Sequence, residues 1–346
     1  MDDLTIALAA LGGLVLAGVV AHGAWQARKA GPRRAAEPTA PMPEPREPVL
    51  GSAAGEPAEM PPAVLEPRGP KRVAARLDAL IDAIVPLTLE APVSGELALM
   101  HLPPSRRAGS KPLLIEGLNA ETGEWESAAP GQRYGEFQAG VQLANRNGAL
   151  NEIEYSEFVQ KAEAFAEAIG AMADFPDMLE VVARARELDA FASDHDAQLA
   201  VHLQARSAAW SVGYIHQHAA RHGFVPGALP GRLVLPSAEE GAPPVLTLSF
   251  DSQAALADNP QQASVRDVTL SFDVPQTDPG AQPFIAWQAS AQALSLGMDA
   301  AIVDDNGRPL NTEGFGAIGG ELGQLYATLE SRDLAAGSAA ARRLFS

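Results

Sequence analysis

The sequence predicts an α+β protein with an N-terminal transmembrane helix, a disordered proline-rich stalk, and then antiparallel sheets with helices on one face. Three observations carry this reading. An uncharged run, LTIALAALGGLVLAGVVAHGAW, extends from Leu4 to Trp25. The stretch from Gly31 to Pro70 is dense in Pro, Ala and Glu. From Val73 onward short alternating strands and amphipathic helices follow one another, and a similar order begins again at Ala197. The expected divisions are 1–26, an anchor with a short N-terminus; 27–72, a basic flank and linker; 73–192, an α+β unit; 193–333, a second unit; and 334–346, a tail.

The first run holds no charge and, as a helix, reaches roughly 30 Å, the thickness of a bilayer hydrocarbon core. A cleaved signal peptide would open on basic residues, whereas this chain opens Met1-Asp2-Asp3 and places Arg28, Lys29, Arg33 and Arg34 after the apolar run. That bias puts the C-terminal side in the cytoplasm. The Pro-rich stretch has too few apolar residues to order itself and reads as an extended spacer. The net charge of −18 repels phosphate, so nucleic acid is not an expected partner. With no cysteine in the chain, disulfides, thiolate catalysis and sulfur-ligated zinc are excluded.

In the first unit, Leu77, Leu80, Ile81 and Ile84 recur at helical spacing, and IVPLTLEA then alternates with Val85, Leu87 and Leu89 on one face. Ser94 is placed to cap a short helix that Pro103-Pro104 ends. Extended segments follow from Leu113, Glu124 and Phe137, and Asn147-Gly148 makes a turn. Tyr155, Phe158, Ala162, Phe165 and Ile169 mark one helix, and Met178 to Phe191 a second. The second unit offers a strand at Leu199, Val201 and Leu203, and a helix from Ala208 to His222. Strands follow from Leu233, Pro244 and Val268, then a helix from Pro283 and a hairpin turning at Asn306-Gly307. Thr312 is the expected cap of a last helix that buries Ile318, Leu322, Leu325 and Leu329. Helices grouped on one side leave the other sheet face open, and an extended partner peptide is the natural occupant of such a face.

No residue pattern reads as an active site, so the chain is not expected to be an enzyme, and no cofactor or metal is expected. His216, His218 and His222 lack the acid of a His-Glu-x-x-His motif, Asp304-Asp305 suits turn chemistry, and no serine has a nucleophile context. Gly314, Gly316, Gly319, Gly320 and Gly323 follow no strand as a phosphate loop would, and read instead as sites of close helix-to-sheet packing.

The second unit resembles a known family. FIAWQASAQALSLGMDAAIVDDNGRPLNTEGF, from Phe284 to Phe315, is similar to the terminal part of the FtsZ-binding domain of ZipA-type bacterial cell-division proteins. The similarity lies in Phe284, Ala291-Gln292, Ala300 to Val303, Asp304-Asp305, Arg308 and Thr312, with Val274-Pro275 closing a preceding strand. It covers the anchor, the stalk and roughly Ala197 to Leu329, and not Val73 to Ala192, which is hypothesised to be a diverged copy of the same split β-α-β unit. The resemblance implies a single-pass inner-membrane protein at the division septum. Its cytoplasmic domain would bind the FtsZ C-terminal tail and support Z-ring assembly. The open face implied for that tail comprises Ala200, His202, Leu229, Ser249, Thr269 and Ser271. Two alternatives stay open: the same residues as a solvated sheet face, and a membrane-anchored scaffold or regulator of the same fold with another partner.

Overall fold

The computed structural model describes residues 77–239, 241–257 and 263–346. The expected anchor (1–26), the linker (27–72) and the first residues of the first unit lie outside the described residues. Among the described residues, no helix is long and apolar enough to cross a membrane. What is described is a mixed α+β structure of two lobes, each an antiparallel sheet with helices.

The first lobe contains β1 (Asp82–Ser94), α1 (Gly95–His101), β2 (Arg107–Ala108), β3 (Lys111–Asn119), β4 (Trp125–Glu126) and β5 (Arg133–Gln142). A hairpin of β6 (Ala144–Asn145) and β7 (Gly148–Ala149) follows, then α2 (Glu152–Ile169), β8 (Ala171–Ala173) and α3 (Met178–His195). The sheet order is β2-β3-β5-β1-β8, with β4 on the side of β3. Alternation selects the buried face: Ala83, Val85 and Leu87 of β1 lie beside Val141, Ala139 and Phe137 of β5, against Phe158, Ala162 and Phe165 of α2. Each such aromatic side chain contributes about 1.5–3 kcal/mol on burial. Helix α2 starts in a full capping box, in which Asn151 accepts from Glu154 N while Glu154 reaches back to the Asn151 backbone, and it stops at Gly170 with φ +73°.

The helix expected from Leu77 to Ile84 is absent. Asp78 and Asp82 supply local acceptors instead: Asp82 Oδ2 takes the Asp78 N–H at 2.8 Å, and Asp78 Oδ1 takes the Leu80 N–H at 2.9 Å. A turn results, and the strand alternation takes over at Asp82.

The second lobe contains β9 (Gln198–Ala205), α4 (Val212–Arg221), β10 (Val225–Pro226), β11 (Arg232–Leu235), β12 (Leu246–Ser249) and the short α5 (Ser252–Ala255). It continues through β13 (Asp267–Asp273), α6 (Pro283–Met298), β14 (Ala300–Val303) and α7 (Thr312–Glu330). The order is β10-β11-β12-β13-β9-β14. Leu233, Leu248, Leu270 and Val201 stand side by side across four strands and are buried with Trp287, Ala291 and Leu294 of α6. The indole of Trp287 donates to Leu270 O at 2.9 Å, which satisfies its one polar atom inside the core.

Three expectations need correction here. Helix α4 begins at Val212, because Trp210 is held in a bridge to Val265 and Ser211 provides the cap, accepting from Tyr214 N. The cap of α7 is Asn311, whose Oδ1 accepts from Gly314 N at 2.9 Å, and Thr312 is the first helical residue. Of the α7 glycines, Gly314 packs closely against Leu310 and Gly319 against Phe284 of α6, neither against a sheet; Gly316, Gly320 and Gly323 face open space among the described residues.

Matched strand for strand, the lobes share one connectivity. The order β2-β3-β5-β1-β8 corresponds to β11-β12-β13-β9-β14, and in both the chain runs strand, helix, strands, central strand, helix, edge strand, helix. The segment expected as a tail is instead folded between them. Leu334, Ala341, Leu344 and Phe345 are buried with Ile81, Ala144, Ala192 and Leu329, and Ala339–Leu344 forms α8. Arg343 makes a two-pronged pair with Asp82, Gln142 Nε2 donates to Arg343 O at 2.8 Å, and Gln276 Nε2 donates to Phe345 O. Arg146, at the tip of the β6–β7 hairpin, pairs with Asp196 and with Asp273 of β13.

Candidate functional site

The face of the second sheet opposite its core is built by register. Arg232, Ser249, Thr269 and His202 stand side by side on β11, β12, β13 and β9, and Val234, Thr247, Ser271 and Ala200 form the adjoining row. Five of the six residues expected at a peptide site are therefore neighbours on one face. Two corrections follow. Leu229 is not among them: it lies in the connection between β10 and β11, 58% exposed, beside Pro226, His216 and Ala255. Ser271 lies on the row yet is 5% exposed, so its hydroxyl is not free to meet a ligand. The accessible stretch is Ser249, Thr269 and His202 with Arg232 at its end.

His202 is the chemical centre of this row. Its Nδ1 is 3.0 Å from Asp267 Oδ1 and 3.3 Å from Thr269 Oγ1, and its Nε2 is 3.1 Å from Asp305 Oδ1. A neutral imidazole has one N–H and can satisfy one carboxylate, whereas the imidazolium donates to both. The hydrogen bond that the ring donates to Asp267, followed by that carboxylate's charge and by Asp305, accordingly holds the ring above its ordinary pKa against the opposing effect of partial burial. Asp305 comes from the turn after β14. Asp304 shapes that turn, accepting from Asn306 N at 2.9 Å and Arg308 N at 2.8 Å, and the Arg308 amide foremost keeps its carboxyl below the usual range.

Asp267 was legible in the sequence, since it precedes Thr269 by two residues and so shares its face. Asp305 was not, because its approach to His202 depends on the turn geometry. Among the described residues, no group of three His, Cys, Asp or Glu side chains converges as a metal site would require. His218 stacks against Tyr214, His216 meets Phe250 edge-on, and His222 sits at the end of α4.

The fold and site define an α+β protein with two like-connected antiparallel sheets, the second exposing a polar row centred on a histidine between two aspartates. No family model matches the chain, and no curated protein matches it.

Proposed function

We propose that the chain is a ZipA-like division protein that tethers FtsZ polymers to the inner membrane, binding the FtsZ C-terminal tail on the open face of its second lobe. The observation that carries the reading is the partly exposed row Ser249–Thr269–His202 on a sheet whose apolar face is packed on helices. In this reading the two lobes are tandem copies of one split β-α-β unit, the membrane anchor precedes the described residues, and no cofactor, catalysis or nucleic acid is involved. Many heads on one membrane would meet many tails on one polymer, so weak single contacts suffice.

The test is titration of an FtsZ tail peptide into the full chain. Thr269→Glu should abolish binding with the fold intact, because the side chain projects from the open face. Leu270→Glu should unfold the lobe, since Leu270 is fully buried and the carboxylate would be unpaired. Unchanged binding by Thr269→Glu would move the site off this face. A second reading, a membrane-linked scaffold of the same fold with another partner, is favoured by the polarity of the row. Failure of the parent chain to bind the peptide would select it.

A further inference from the structure

One edge of the first sheet is discontinuous. Strand β2 covers one end of β3 and β4 the other, Ala108 pairing with Lys111 and Glu126 with Gly117. Leu113 donates its N–H to Arg106 O at 2.9 Å and Asn119 donates to Glu124 O at 2.9 Å, so the odd-numbered residues of β3 turn their backbone groups away from β5. Ile115 faces the same way. It falls in the gap between β2 and β4, and its N–H and C=O meet no backbone group among the described residues. Beside it lies a notch of about 50 Å³, lined by Leu99 and Leu102 at the end of α1, by Pro103, by Leu113 and by Ala128, with Arg106 at its rim. Neither Arg106 nor Arg107 meets a carboxylate among the described residues, although the chain has a net charge of −18.

We propose that this gap binds the C-terminus of a partner protein, taking an apolar last residue whose free carboxylate lies beside Arg106. The length of the gap selects a chain end. From Leu113 to Gly117 is roughly 14 Å along β3, so an incoming strand can exchange both backbone bonds with Ile115 alone before it meets β2 or β4. A terminal residue needs no more, having one N–H for the Ile115 carbonyl and a carboxylate oxygen for the Ile115 N–H. Antiparallel entry from the β4 end directs that carboxylate toward Arg106, because Arg106 stands opposite Leu113. A guanidinium there can donate two parallel bonds to it. Residues directly opposed across an antiparallel pair share a face, so the terminal side chain lies with Ile115 and Leu113, against Leu99 and Leu102. The chain's own C-terminus is committed elsewhere, with Leu344 and Phe345 buried between the lobes, so the occupant is another protein. The inference does not rest on the FtsZ reading, which concerns the second lobe.

The test is titration of the isotope-labelled full chain with the peptide acetyl-Ala-Ala-Ala-Leu bearing a free carboxylate, and with its C-terminal amide, followed at the Ile115 amide resonance. The acid should shift that resonance and bind roughly tenfold more tightly than the amide, because hydrogen bonds between charged groups are the stronger ones. Arg106→Gln should erase the difference between acid and amide, and Arg107→Gln, which lies outside the notch, should preserve it. Leu99→Asp, at a position 37% exposed, should abolish binding with the fold intact. No shift at Ile115, equal affinity for acid and amide, or an acid preference that survives Arg106→Gln would overturn the proposal. Thr269→Glu leaves all of these readouts unchanged, so failure here is distinguishable from failure of the peptide site.

Discussion

Arg343→Met isolates the contact that joins the C-terminal segment to the first lobe. Asp82 is 1% exposed, and both its oxygens are held by the Arg343 guanidinium, at 2.8 and 2.5 Å, with a further bond from the Asp78 N–H. Methionine keeps much of the aliphatic volume and removes the charge, so the carboxylate stays buried without its cation. Losing one partner of a buried pair costs about 3–5 kcal/mol. Burial, the largest influence, already raises the Asp82 pKa, and Arg343 opposes it; the substitution therefore raises the pKa further. A carboxyl with a raised folded pKa is favoured by folding while protonated, so its penalty grows as pH climbs from the unfolded value to the folded one and is constant above. The deficit of the variant should be full at pH 8 and shrink by about 1.4 kcal/mol per pH unit once the pH falls below the shifted pKa. Urea denaturation at pH 8 and pH 5 measures both quantities. A deficit under about 1 kcal/mol, or one independent of pH, would refute the account. Adding Asp82→Asn should return most of the lost stability, because the stranded charge is what costs.

The His202 imidazole, held above its ordinary pKa by Asp267 and Asp305, contributes stability that is complete below the unfolded pKa and lost as pH rises through the folded one. A ring resonance titrating above that of an unfolded-chain histidine, with amide exchange in the turn 304–308 quickening over the same pH interval, is the expected NMR result. Gly231 has φ +74°, and a Cβ there would meet Phe250 O at 2.5 Å, so Gly231→Ala should cost upwards of about 1 kcal/mol in thermal unfolding. Asn311→Ala should lose about 1 kcal/mol through the missing cap while Thr312→Ala loses almost nothing; the reverse order would restore Thr312 as the capping residue.

The core faces of both sheets could be read directly, because period-two alternation is dictated by strand geometry: Val85 and Leu87, or Leu246 and Leu248, point inward wherever their strands pair. The Ser94 cap was equally legible, being a local hydrogen-bond preference, and the turn expected at Asn147-Gly148 falls one residue earlier, at Arg146-Asn147, with Gly148 opening β7. What escaped was decided by distant partners. Leu77 to Ile84 has helical spacing, but Asp78 and Asp82 close a turn and β5 claims the strand. Residues 334–346 look like a small-residue tail, and their apolar positions acquire meaning only against Ile81, Ala144 and Ala192 from far upstream. At the candidate site the same limit applies. The row Ser249–Thr269–His202 follows from alternation, whereas the exclusion of Leu229 and the burial of Ser271 depend on register and loop path.

The two sheets share a connectivity and differ in what meets their outer faces, and that difference bears on function. In each lobe the inward positions are apolar because the core tolerates little else, so shared topology there says nothing about a ligand. The outer positions are under no such constraint. On the first sheet they are Ile84, Pro86, Leu114 and Leu118 around two glutamates, and Gly140 makes room for a leucine of the same chain. On the second they are Ser249, Thr269 and His202, with the imidazole committed to Asp267 and Asp305. A ligand for the first face must compete with a covalently attached Leu77, whose effective concentration far exceeds that of a free partner. A ligand for the second must offer hydrogen bonds as well as apolar contact, since those polar groups would otherwise lose water without replacement. The first face is thus suited to an intramolecular role, and the second to an external partner bound as much by polar pairing as by apolar burial.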